Sequence, residues 1–69
     1  MKRTLIESSV LASAGYDSET AMLELEFRSG EVYRHFAVPP SVHAGLLAAP
    51  SVGRFFTQHI RDRYPTQHE

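Results

Sequence analysis

The sequence predicts an α+β domain in which a three-stranded antiparallel meander is followed by two helices packed on one of its faces (βββαα). Three observations carry that prediction. Met22 to Arg28 alternates apolar and charged side chains without interruption. Turn-forming residues cut the first half into short segments. After Pro39-Pro40 the apolar spacing changes from every second residue to every third or fourth. A chain of 69 residues has room for one core, so residues 1–69 read as a single domain.

The first strand is Val10 to Tyr16, entered through Ser8-Ser9 and closed by the turn-forming run Asp17-Ser18-Glu19-Thr20. In the second, Leu23, Leu25 and Phe27 share one face and Glu24, Glu26 and Arg28 the other. Ser29-Gly30 then supplies a residue tolerant of positive φ for a tight hairpin, and Glu31 to Val38 returns as the third strand. A loop of two or four residues centred on Ser29-Gly30 pairs Phe27 with Val32 and Leu23 with Phe36. That register buries those four residues and turns Tyr33 and His35 to the open face beside Glu26 and Glu24. Arg34 falls on the apolar face between Val32 and Phe36, its stem packing and its head reaching an edge. A slip of one residue would invert the whole arrangement, because side chains alternate with period two.

Pro39-Pro40 ends the third strand and suits a helix start. The first helix covers Ser41 to Ala49, with Val42, Leu46 and Ala49 along one face, and Pro50 breaks it. Ser51 is a candidate N-cap for a second helix from Val52 to about Tyr64, stopped by Pro65. Val52, Phe55, Phe56 and Ile60 share an apolar arc that also takes in His59 and Arg63, while Arg54, Thr57 and Arg61 project from the opposite side.

Composition limits the function. The chain has no cysteine, which removes disulfides and thiolate metal sites. No apolar stretch is long enough to span a bilayer. Ser8-Ser9 follows the basic Lys2-Arg3 too soon for the apolar centre of a signal peptide, so the expected location is cytoplasmic, with no membrane partner. The net charge of −1 is unlike that of a strongly electrostatic nucleic-acid binder, although residues 1–31 carry −3 and residues 32–69 carry +2. No metal-ligand spacing, nucleophile elbow or Gly-rich phosphate loop is present, so no metal, cofactor or catalytic residue is expected and the chain reads as a non-enzyme. His59, in the apolar arc, reads as a buried histidine making one hydrogen bond.

Two groups of residues remain as candidates. Tyr33 and His35, side by side on a strand, resemble the ring pairs on which RNA-binding sheets stack unpaired bases, although Glu24 and Glu26 beside them would repel phosphate. Arg54 and Arg61 share a helix face and, with Arg34, offer planar cationic forks for phosphates.

The segments Ser8-Ser9-Val10, Gly15-Tyr16-Asp17, Leu23 to Phe36, Val38-Pro39-Pro40, Gly53 to Phe56 and Ile60 to Tyr64 together resemble the KTSC domain. That family is named for the C-terminal region of some lysyl-tRNA synthetases and includes small single-domain bacterial proteins. The resemblance spans roughly residues 8–64. It implies a Tyr-x-Tyr motif, which maps onto Tyr33-Arg34-His35 with His35 in the second Tyr position, and it matches Arg61 to the family's Ile-Arg pair. It brings no established activity, but its place in a synthetase suggests RNA binding. The expected function is thus a small non-catalytic binding module for RNA or another single-stranded nucleic acid, contacted by Tyr33, His35, Arg34, Arg54 and Arg61. The alternative is a protein-interaction or homo-oligomerising module acting through the open sheet face or an exposed edge strand.

Overall fold

A computed structural model describes residues 2–69. Among them, five strands form one antiparallel sheet in sequential order: β1 (Arg3–Leu5), β2 (Leu11–Asp17), β3 (Met22–Phe27), β4 (Val32–His35) and β5 (Thr66–His68). Between β4 and β5 lie α1 (Pro40–Ala48) and α2 (Val52–Phe55), the latter continued by a π-helical turn over Phe56–Ile60. The α+β class and the three central strands agree with the sequence reading. The three-stranded meander is corrected to five strands, because β1 and β5 flank it as edges.

Both added strands are three residues long, with every residue exposed to solvent, so neither shows the alternation that reveals a strand in sequence. They are held by tertiary contacts instead. Arg28 donates from Nε to the Ser8 carbonyl (2.9 Å) and from Nη2 to the Ile6 carbonyl (2.8 Å), tying down the connection after β1. Glu69 N–H bonds to the Val32 carbonyl (2.9 Å) and closes β5 against β4.

The register of the central hairpin also differs from expectation, by one residue. Leu23 pairs with His35, Leu25 with Tyr33 and Glu24 with Arg34. The turn is the cause. Gly30 N–H bonds to the Phe27 carbonyl (2.9 Å) and Phe27 N–H to the Glu31 carbonyl (2.8 Å), which leaves three loop residues, Arg28, Ser29 and Gly30. Gly30 takes φ 96° at the last of them, the left-handed position of the three-residue hairpin. An odd-numbered loop shifts the pairing by one, and every β4 side chain changes face. Tyr33 and His35 therefore point toward the helices, and Arg34 with Val32 toward the open face.

The core follows from this parity. Leu11, Ala14, Leu23 and Leu25 of the sheet meet Ile6, Val38, Leu46 and Ile60, all buried, with Tyr16, Phe27, Val52, Phe55 and Phe56 packed around them. Pro40 occupies the first turn of α1, and the Ser51 hydroxyl accepts from Arg54 N–H (3.3 Å), the N-cap expected from sequence. The second helix ends at Ile60 rather than near Tyr64. Arg61 N–H reaches back five residues to the Phe56 carbonyl (2.8 Å), and Asp62 then takes φ 59°, which ends the helix and turns the chain toward β5. Arg63, beyond the helix end, and His59, within the π turn, are both exposed; His59 lies 4.5 Å from the Phe55 ring and is not the buried histidine expected.

Candidate functional site

Reversing β4 builds two different surfaces. On the open face the main-chain partners Glu24 and Arg34 stand beside Arg3, whose own strand partner is Gly15. Glu24 is only 7% exposed although no helix covers it. Arg3 donates to it through Nε (2.8 Å) and Nη2, Arg34 donates through Nε (3.2 Å), and Arg34 Nη2 reaches Glu69 (3.0 Å). Burial alone would push the Glu24 carboxyl up, but the hydrogen bonds and charges of the two guanidiniums outweigh it and hold the carboxyl below its ordinary value. Ser13 Oγ donates to the neighbouring Glu26 (2.9 Å). This surface is an ion-pair ladder of two arginines and three glutamates, and Arg34 is committed to it. Arg34 is therefore not placed as the phosphate contact that the sequence suggested.

The other surface is a cleft of about 170 Å³ between β4 and the π turn. Phe27, Tyr33, His35, Phe56, Arg61, Asp62 and Thr66 line it. Tyr33 is half-buried: its ring stacks on His68 (4.5 Å) and meets the edge of Phe27 (5.6 Å). Its hydroxyl donates to Glu31 (3.1 Å), a bond that holds the phenol above its ordinary pKa. His35 is 3% exposed and forms the inner wall. Its Nδ1 contacts Thr66 Oγ1 (3.0 Å), Phe56 packs edge-on at 6.0 Å, and Nε2 makes no hydrogen bond within the protein. Burial lowers the pKa of its imidazole. The Arg61 side chain, 65% exposed at the rim, has only a loose 4.0 Å approach to Asp62.

Tyr33, His35 and Arg61 therefore converge on one cleft, while Arg34 and Arg54 lie elsewhere. Arg54 lines a larger, shallower groove of about 690 Å³ between Ser8–Val10 and the start of α2, which has no aromatic wall, and a smaller one of about 200 Å³ beside Phe55. The sequence reading missed Phe27 and Phe56 as walls of the cleft, and His68 as the ring that stacks on Tyr33. Phe27 and Phe56 carry the same aromatic signal as Tyr33 but were absorbed into the core. His68 lies on an unrecognised strand and offers no local signal. Among the described residues, no group of three or more His, Cys, Asp or Glu could hold a metal ion, and no helix is long and apolar enough to cross a membrane.

The model of the KTSC domain family matches residues 7–64. The chain belongs to the KTSC domain family. This KTSC domain is similar to a crystal structure of a KTSC domain protein from Yersinia pestis, with TM-score 0.96 and 34% identity, covering 99% of this chain and 96% of that one. It is 50% identical over 64 residues to an uncharacterised protein of Stutzerimonas stutzeri, covering 93% of this chain and 90% of the other. It is also 43% identical over 58 residues to a lysine–tRNA ligase of Nostoc punctiforme, covering 84% of this chain but only 10% of the ligase. The KTSC domain thus occurs both in proteins of about its own length and as a small segment of a much larger enzyme. Family membership assigns no ligand, so the chemistry must be read from the cleft.

Proposed function

We propose that this KTSC domain is a small cytoplasmic, non-catalytic binding module for unpaired RNA, and that the cleft between β4 and the π turn is where a base docks. The carrying observation is that Tyr33, His35 and Arg61 line one aromatic-walled cleft. Aromatic faces and an adjacent arginine are what single-stranded nucleic acid uses, through stacking and phosphate contact. The cleft also removes the objection posed by Glu24 and Glu26, since both lie on the opposite face of the sheet, where Arg3 and Arg34 face them. The π turn that carries Phe56 and ends at Arg61 is a helical irregularity of the kind often found at functional sites. The similar segment in lysine–tRNA ligases belongs to enzymes named for a tRNA substrate, which supports RNA as the ligand class.

With a net charge of −1 and few unpaired cations, affinity should be weak and its salt dependence shallow. Fluorescence anisotropy with a labelled mixed-sequence single-stranded RNA at low salt tests the reading. Saturable binding is expected at high micromolar protein. Tyr33→Ala should weaken it by at least about fivefold, because one stacked base is worth roughly 1–3 kcal/mol. Circular dichroism should show the variant still folded. Absence of wild-type binding at those concentrations ends the proposal.

A protein-interaction or self-associating role draws support from one feature, the exposed edge strand β1, where Leu5 is 87% exposed. Light scattering at two concentrations tests it: a molecular mass that rises with concentration would favour self-association.

A further inference from the structure

We infer that the cleft, taken as the RNA-contact site proposed above, selects bases bearing an amino group over keto pyrimidines, and so prefers cytosine to uracil. The inference rests on that reading and adds the identity of the base.

Proton counting on the inner wall comes first. The Thr66 hydroxyl has one hydrogen, and it donates that hydrogen to the Tyr64 carbonyl (2.9 Å). The arrangement that satisfies both Thr66 contacts has Oγ1 accepting across the 3.0 Å contact with His35, which places the imidazole hydrogen on Nδ1. Desolvation keeps the ring neutral at pH 7, so Nε2 carries a bare lone pair. The protein offers this buried atom no donor. A buried acceptor left unpaired is costly, and a ligand that supplies the donor recovers that cost.

The rest of the lining has the same polarity. The Tyr33 hydroxyl is committed to Glu31 and the Thr66 hydroxyl to Tyr64. Asp62 adds a carboxylate, another acceptor. Arg61 is the donor on this lining, and its exposed fork at the rim suits a phosphate. A base entering between Tyr33 and Phe56 thus meets the His35 lone pair at the inner end, with the Asp62 carboxylate outside at the exposed rim. Cytosine presents the N4 amine there, whereas uracil presents a carbonyl oxygen that faces the His35 lone pair. Nε2 is buried in the free protein, so reaching it requires the cleft wall to yield, and Phe56, whose ring lies 6.0 Å from His35, opens the π turn.

The test compares labelled oligo(C) and oligo(U) of equal length, at equal low salt and pH 7.5. Wild type should bind oligo(C) about tenfold more tightly, the worth of one net hydrogen bond. His35→Phe should bring the two within about twofold of each other. A buried substitution can unfold so small a domain, so a second readout uses wild type alone. In long-range proton–nitrogen NMR spectra, the His35 Nε2 resonance should move with oligo(C) and stay still with oligo(U). Equal affinities, a still Nε2 resonance, or tighter oligo(U) binding (Arg61 donating to the uracil carbonyl) would overturn the selectivity and leave the RNA module standing. Failure to bind either oligomer would remove both readings.

Discussion

Gly30 closes the three-residue turn that accompanies the observed β4 register, and its backbone conformation can be tested with one side chain of either hand. The residue holds φ 96° at the end of a three-residue hairpin, and an added Cβ would meet no heavy atom within 4 Å. Space is therefore not the issue, and any cost of Gly30→Ala is the backbone strain of an L-residue at positive φ. That strain is about 1–2 kcal/mol. With unfolding entropy of about 2.1 cal/mol/K per residue, this chain gains roughly 0.14 kcal/mol/K on unfolding, so the melting midpoint should fall by about 7–14 °C. D-alanine at the same position, introduced by chemical synthesis, has its preferred φ there. It should raise stability by about 0.4–1 kcal/mol, because the unfolded chain loses freedom that glycine had. Thermal melts followed by circular dichroism read both. The decisive feature is the opposite sign: if the L- and D-variants shifted the midpoint equally, or if L-alanine left it unmoved, Gly30 would not be held in the backbone conformation described.

The ion-pair ladder and the arginines give two further expectations. The folded pKa of Glu24 lies below its unfolded value, so its contribution to stability is present above the ordinary carboxylate range and is lost as pH falls through the folded pKa. Glu24→Gln should therefore lower stability at pH 7 by about 1–2 kcal/mol, discounted because both arginines keep access to water. It should also flatten the acid limb of a melting-midpoint series between pH 6 and pH 3; an unchanged limb would mean that the buried carboxylate is not the titrating group. In RNA titrations, Arg61→Ala should reduce the slope of log affinity against log salt by about 0.7, the worth of one single-strand phosphate contact. Arg54→Ala, altering a residue outside the aromatic cleft, should leave that slope unchanged. The reverse pattern would move the binding surface to the groove beside α2.

Much of the fold is legible locally because its signals are local. Alternation from Leu23 to Phe27 needs only a strand with one buried face. Pro39, Pro40, Pro50 and the Ser51 cap act through their own backbone, and each helix start agrees with the structure to within a residue. The family resemblance rests on these same segments and extends to nearly the residues that the family model matches. The edges are different. Arg3–Leu5 and Thr66–His68 become strands only because β2 and β4 offer them unpaired backbone, so their own residues give little warning. The early end of the second helix depends on the widened turn at Phe56–Ile60 and on positive φ at Asp62, neither of which apolar spacing encodes.

The candidate site shows the same division at finer scale. The residue types were visible in advance: an aromatic and a histidine two apart on a strand, and an arginine after the apolar arc. From these residues the sequence by itself determined the class of fold, the central hairpin, the helix starts and the family. Tertiary structure alone decided on which side Tyr33 and His35 emerge, that Arg34 pairs with Glu24, and that Phe27 and Phe56 complete the cleft. The physical reason is that Ser29-Gly30 is compatible with turns of two, three or four residues. Those turns differ little in local energy, yet the odd one exchanges the two faces of β4. Pairing of β4 with β3 on one side and β5 on the other, with Tyr33 and His35 carried to the helix side, selects among them.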